Sequence, residues 1–410
     1  MPRRQLAEIV RSLDVIGPVS RALAQNPSAS HPMSKPVTSD DTAFFDLFRN
    51  ATVNGTCSIF PSSFWSETVI QMAHSESAIW HATLAIAALH KRLERLKEGA
   101  DSINDQSLIS RAETHYAKAL ALAQDLNADL QVTTLAILLL SAACLLERWP
   151  EMQMHLMAGL KIVSSKRQQN PGLRAMESTL MRLDLQAMTF SESSSLYPYE
   201  VTVTAFPVAQ YLSLPLIEGN SYEELSSEMF GLFRAYMILD EDYLQGSSPC
   251  GPWLTSQNCF LRRLAHWESR MAAFESTHPP IASDEATRLC IRLWHVTARA
   301  LIRATPTGGE RRYDSLLGYF EYGIKIALAA RESMRGTHIP SLSLEPGIVV
   351  PLWSMIHRCR HQGVRHAALA ILQDCSRTEA MWKGRMAAAI IKAVVDVEEE
   401  MTDSIQSAGY

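Results

Sequence analysis

HSESAIWHATLAIAALHKRLE, residues 74–94, sets three histidines and a tryptophan around a long apolar run. The stretch reads either as an acid/base centre or as a buried helix that carries imidazoles. Helical geometry decides between them. At 100° per residue, His74 and His81 lie about 700° apart and share a face, whereas His90 lies about 180° from His81. Three side chains on opposite faces of one helix cannot converge on a substrate or a metal. The HExxH spacing of zinc proteases is absent too. Ser75 or Ser77 suits an N-cap, and Glu76 then sits at the positive end of the helix dipole. The stretch is therefore expected to be a structural helix.

The same periodicity recurs along the chain. Phe64-Trp65 is expected to open a helix that turns Val69, Ile70 and Met72 inward. After a polar bridge at 97–107, residues 110–126 place Ala112, Tyr116, Ala119 and Leu120 on one face. Residues 130–147 are almost wholly apolar, as in a helix buried on every side, and Trp149-Pro150 is expected to end it. Amphipathic stretches at 152–165 and 174–190 follow, then an irregular, proline-bearing stretch at 191–222. Further helices reach VRHAALAIL (364–372) and MAAAIIKAVVDVEEE (386–400). Alternating strand patterns and Asn-Gly or Asp-Gly turns are scarce. These features predict an all-α fold, a large antiparallel array or bundle of roughly a dozen or more helices. Residues 1–42 are expected to form a short amphipathic helix and a linker, and 43–410 one helical domain.

Composition removes several functions. The 410 residues carry a formal net charge of -5, and the basic clusters are small (Arg3-Arg4, Arg262-Arg263, Arg311-Arg312, Arg358 and Arg360). Nucleic-acid phosphates demand a broader basic footprint, so direct DNA binding by this chain is not expected. Seven cysteines, none in a CxxC, exclude zinc ribbons and thioredoxin-type chemistry, and the odd count suits a reducing compartment. The most apolar run, 135–146, is too short to span a bilayer.

Three other groupings invite a chemical reading. His357, Cys359, His361 and His366 lie close together, and His357 and His361 have the spacing of a helical metal pair. Arg358, Arg360 and Arg365 oppose a cation there. Asp240, Glu241 and Asp242 resemble a magnesium-binding helix but lack the second acidic motif that diphosphate chemistry needs, so a solvated helix end is expected. Gly308-Gly309 lacks the Lys-Ser/Thr of a phosphate loop. No catalytic, cofactor-binding or metal-binding residue is therefore assigned, and no cofactor is expected.

The order of motifs carries a resemblance. Phe64, Trp65, His74, Ser75, Glu76, Ala78, His81, Ala82 and His90 fall in step with the opening of the fungal-specific transcription factor domain. That domain is the regulatory region downstream of the Zn2Cys6 cluster in many fungal regulators. HYAKAL (115–120), HLMAGLKIV (155–163), RLDLQA (182–187), LEPGIVVPLW (344–353), CRHQGVRHAALAIL (359–372) and VDVEEE (395–400) resemble its later segments in order. Residues 1–42 contain no cysteine, so the zinc cluster has no counterpart there. The resemblance implies a transcriptional regulator or co-regulator, nuclear or nucleocytoplasmic, of a secondary-metabolite gene cluster by expectation. It would act through a protein partner, either a DNA-binding regulator or the transcription machinery. An apolar small molecule and a second copy of the chain are further candidate partners. The alternative is a metal-independent catalyst or carrier for a hydrophobic metabolite, which would require an enclosed apolar cavity with an acid/base group.

Overall fold

The computed structural model describes residues 38–98, 102–166, 168–170, 172–190, 221–244, 250–304, 309–335 and 341–407. The expected N-terminal helix, most of the linker and nearly all of the irregular stretch at 191–222 lie outside these residues. What is described is almost entirely helical. The helices are α1 (Ser39–Leu47), α2 (Val53–Cys57), α3 (Val69–Ser75), α4 (Ser77–Lys97), α5 (Ser102–Leu122), α6 (Asp129–Leu145), α7 (Trp149–Lys166) and α8 (Leu173–Phe190). They continue with α9 (Tyr222–Leu244), α10 (Cys250–Thr277), α11 (Glu285–Arg303), α12 (Leu317–Arg335), α13 (Val349–Arg358), α14 (Gln362–Asp374) and α15 (Gly384–Ser407).

Helix α6 is the centre of the first half. Every residue from Val132 to Leu145 is buried, and the helix packs against α4, α7 and α8. Its hydroxyls would be costly there without partners. Thr133, Thr134 and Ser141 solve this by donating to the carbonyls of Asp129 (2.7 Å), Leu130 (2.9 Å) and Ile137 (2.9 Å). The helix ends where Glu147 turns left-handed (φ 60°) and the Arg148 N–H closes onto the Ala143 carbonyl at 2.9 Å. Trp149-Pro150, expected as the terminator, instead opens α7. A proline in the first helical turn has no N–H bond to lose.

Two other boundaries differ from the sequence expectation. The break between α3 and α4 falls on Glu76 (φ −118°, ψ 110°), which holds the N-cap position itself, without a capping serine. The Ser75 hydroxyl donates backward to the Met72 carbonyl at 3.3 Å, and Glu76 accepts from Gln131 Nε2 at 2.6 Å. Helix α5 begins at Ser102, inside the polar stretch that was expected to be a bridge. An ion pair between Arg92 and Asp105 at 2.7 Å holds that turn against α4, where apolar periodicity gives no signal.

One hydrophobic cluster runs from Phe44 to Val395. Its largest members include Trp65, Trp267 and Trp294, fully buried, with Nε1 donating to Glu345 (2.9 Å), the Leu225 carbonyl (2.9 Å) and the Gly347 carbonyl (2.7 Å) respectively. The described residues also contain a small sheet. β1 (Leu342–Ser343) runs parallel to β2 (Thr378–Glu379), and β2 pairs antiparallel with β3 (Trp382–Lys383). Strands of two residues are too short to show alternation in a sequence. Their work is to bring residues near 343 and 379 together.

Histidines in the core are held neutral. His155 on α7 is buried and meets the Tyr116 hydroxyl at 2.7 Å, and burial pushes its pKa down to about 4. A histidine with a folded pKa below its unfolded value near 6.5 binds more protons when unfolded. Its stabilising share is therefore present above pH 6.5 and is lost as pH falls toward 4. We expect thermal stability to fall across that window, by about 1.4 kcal/mol per pH unit for His155. His155→Gln keeps a partner for Tyr116 and should flatten the slope, as read from melting temperature against pH.

Candidate functional site

The three histidines of the opening stretch go to three different environments. His74 is exposed on α3, edge-on to Phe45 with ring centroids 5.2 Å apart. The break at Glu76 puts it on a different helix from His81, so the shared face expected for this pair does not exist. His81 faces α5, with Nδ1 3.0 Å from His115 Nδ1, and His115 Nε2 lies 3.5 Å from Asp41. Burial and the neighbouring His81 push the His115 pKa down to about 4. His90 is buried on the far side, between Thr52 Oγ1 (2.8 Å) and Glu94 (3.3 Å), and burial lowers its pKa. His81–His115 is a pair that sequence reading missed, because its members are 34 positions apart on separate helices.

The second histidine group is also dispersed. His357 ends α13, the backbone turns extended at Cys359, and His361 occupies the N-cap of α14. The helical spacing expected of His357 and His361 therefore spans two helices. His366 pairs with Glu399 at 2.9 Å, and Arg358, Arg360 and Arg365 pair with Glu310, Asp314 and Glu398. Among the described residues, no three His, Cys, Asp or Glu side chains converge where a metal ion could sit. Asp240, Glu241 and Asp242 lie in the last turn of α9, but their side chains are outside the described set. Gly309 takes φ +55° with open space around it, and Gly308 is outside the described residues.

A buried polar construction joins three of the stretches that carry the family resemblance, through Trp65, Arg182 of RLDLQA and Glu345 of LEPGIVVPLW. Glu345, just past β1, is buried and accepts from Trp65 Nε1 at 2.9 Å and Arg182 Nη1 at 3.2 Å. Arg182, also buried, donates its other nitrogen to Ser226 (3.2 Å) and Ser227 (2.7 Å) and lies over the Phe230 ring at 5.3 Å. Burial pushes the Glu345 carboxyl up, against the pull of Arg182 and the indole N–H.

A second buried carboxylate sits across the sheet. Glu379 accepts from the backbone N–H groups of Gly347 (2.8 Å), Ile348 (3.0 Å) and Val349 (3.2 Å). It thus caps α13 from outside the helix, satisfying donors that the helix cannot. Gly347 is required here, since a Cβ would collide with the Glu379 carboxylate. Arg377 supplies the nearby positive charge and reaches α2, donating to the Gly55 carbonyl (2.8 Å) and the Ser58 hydroxyl (3.0 Å).

Beside Glu379 lies a cleft of about 170 Å³, walled by Lys97, Arg331, Ile348, Ile371, Cys375 and Arg377. Burial and Glu379 push the Cys375 thiol up to about 12, so it is not a nucleophile at neutral pH. A second, open groove of about 360 Å³ runs between α10 and α11, lined by Asn258, Leu261, Arg262, Ala265, Arg299 and Arg303. Drug-sized ligands occupy roughly 300–1,000 Å³ of mostly apolar space, which the first cleft is too small to provide and the second too charged.

The fungal specific transcription factor domain matches residues 43–306, more than half of the chain. The chain belongs to that family. No curated protein and no solved structure matches it. The family span covers α1 to α11, and so includes Trp65, Arg182 and the arginine groove of this transcription factor domain. The C-terminal motifs that resemble the family, from Leu344 onward, lie beyond the matched span. They are joined to it by Glu345, which meets Trp65 and Arg182, and by Arg377, which meets Gly55 and Ser58. Among the described residues, no helix is long and apolar enough to cross a bilayer.

Removing Glu345 should expose how much rests on it. Glu345→Ala leaves Arg182 as an uncompensated buried charge and the Trp65 N–H without an acceptor. We expect a loss of about 3–5 kcal/mol in a denaturant titration. Glu379→Ala should cost at least about 2 kcal/mol, because three backbone donors lose their acceptor in an apolar surround.

Proposed function

We propose that this chain is a transcriptional regulator or co-regulator that works in the nucleus through a protein partner. The observation that carries the reading is the family match across α1 to α11. A secondary-metabolite gene cluster is the proposed target set. The partner is either a DNA-binding regulator or a component of the transcription machinery, because the charge of the chain is too low to grip nucleic acid alone.

The contact for that partner is the groove between α10 and α11. Its side chains are placed by regular helix geometry: Arg262 and Ala265 are three apart on α10, Arg299 and Arg303 four apart on α11. Arg299 is paired with Glu268 at 2.7 Å, and the Arg303 guanidinium lies 5.6 Å from the Tyr319 ring. A partner segment carrying carboxylates beside one or two apolar residues would find arginines on both walls and Leu261 and Ala265 between them. The competing reading, a catalyst or carrier for a hydrophobic metabolite, asked for an enclosed apolar cavity. The two clefts described above carry charged side chains on their walls, so neither is the enclosed apolar cavity that reading asked for.

Deleting the gene should lower transcripts of a coordinated gene set together with their products. Loss of one biosynthetic step with transcripts unchanged would refute the proposal. Arg262→Glu combined with Arg303→Glu should weaken co-purification of the partner severalfold and reproduce the transcript phenotype while leaving the thermal melt within about 1 kcal/mol of wild type, since both side chains line an open groove.

A further inference from the structure

The cleft beside Glu379 lies where Lys97, the last residue of α4, and Asp374, the last of α14, meet Arg331 of α12 and the small sheet. Its polar groups do not balance. Asp374 accepts from Arg331 Nη1 at 2.9 Å, and the Glu379 oxygens accept from three backbone N–H groups. The Ser341 hydroxyl is spent on Glu94. Both acids that line the cleft thus have donors, but the donors do not all have acceptors. Arg377, only 6% exposed, gives Nη1 to the Ser58 hydroxyl and Nη2 to the Gly55 carbonyl. Its Nε–H meets no acceptor among the described residues, and neither does the buried Nε–H of Arg331. Two orphaned buried donors around one cleft are an exception that asks for a partner.

We propose that this cleft binds a small organic anion, with its oxyanion head toward Arg331, Arg377 and Lys97 and a short apolar body against Ile348, Ile371 and Met334. The surplus of donors specifies the head. A carboxylate or phosphate ester brings acceptor oxygens and no donor, which is what the cleft lacks, and its charge strengthens each hydrogen bond it accepts. The charges agree: three cations (Lys97, Arg331 and Arg377) face two acids (Asp374 and Glu379), and one negative charge completes the balance. Size and lining specify the body. About 170 Å³ is room for roughly six waters at about 30 Å³ each, or for one carboxylate on a chain of a few carbons. A bare ion would leave the apolar walls wet.

The side chains that would hold the anion already join separate parts of the chain. Arg377 ties the sheet to α2, and the Arg331–Asp374 pair ties α12 to α14. An anion that satisfies their remaining N–H groups is bound by the folded protein and not by the unfolded chain, so occupancy raises thermal stability by mass action. A neutral molecule of the same shape offers the cations no charge, and solvent offers the apolar walls nothing. The site is separate from the groove between α10 and α11, and its occupancy does not depend on the chain being a regulator.

Thermal melts and calorimetric titrations of the full chain at constant ionic strength test this, with sodium isobutyrate as the probe and isobutyramide as its uncharged counterpart. Isobutyrate should raise the melting temperature to a plateau, and isobutyramide should not. Acetate, which has the head without the body, should bind severalfold more weakly. Isobutyl phosphate tells which oxyanion the cleft prefers, and a preference in either direction supports the site. Lys97→Gln and Arg331→Gln remove charge at the rim, where the cost to folding is small, and each should weaken isobutyrate by about tenfold. Lys161→Gln, exposed on α7 and no part of the cleft, should leave binding unchanged. The proposal is overturned if no anion saturates, the cleft then holding solvent alone. Isobutyramide or acetate binding as tightly as isobutyrate overturns it too, as does full binding by Lys97→Gln and Arg331→Gln.

Discussion

Two buried carboxylates with the arginines beside them, Glu345 with Arg182 and Glu379 with Arg377, join the last part of this chain to the rest. Moving a carboxylate out of solvent costs several kcal/mol even after the protein relaxes around it, so each must gather enough donors to offset that loss. Glu345 draws an indole from residue 65 and a guanidinium from residue 182. Glu379 draws three backbone amides at the start of α13, and the arginine two residues before it reaches back to α2. The donors come from the beginning, the middle and the end of the chain. Satisfying the two acids therefore fixes how the first helices, α8, and the last hundred residues are placed. The small sheet exists in this context: its register brings Ser343 opposite Glu379 and sets the two carboxylates on adjoining elements.

What was legible in the sequence follows from what periodicity can report. The buried helix α6 and the amphipathic helices around it announce themselves, because their apolar residues recur at a period the helix dictates. The cap at Glu76 and the left-handed turn at Glu147 do not, because each uses a residue type that is common elsewhere and depends on tertiary partners. Sequence reading treated the histidines as a single-helix problem. The structure shows them instead as inter-helix pairs, His81 with His115 and Tyr116 with His155, whose partners are 34 and 39 positions away. Glu379 was invisible for the same reason, and Glu345 stood in the LEPGIVVPLW stretch with nothing to show its partners. A lone glutamate beside a proline or a threonine carries no signal until its donors arrive from elsewhere.

The distribution of charge separates core from periphery. Among the described residues, buried ions such as Arg182, Glu345 and Glu379 and the neutral histidines His90 and His155 share the interior, while Arg262 and Arg303 line an open groove at the surface. This layering suits a domain that recognises other macromolecules by surface chemistry and keeps its interior fixed. Cysteine follows the same rule: burial raises the thiols of Cys57 and Cys375 to about 12, far from reactivity.

The span matched to the family ends at residue 306, yet its buried contacts continue past that point. A fragment stopped there would carry Arg182 and the Trp65 indole into an apolar interior with their acceptor gone, and would expose the wall of α11 on which Trp294 meets Gly347. The segment from Leu342 to Val395 thus behaves as the missing half of an internal handshake. Cutting at the family boundary would sever the protein through its driest polar contacts.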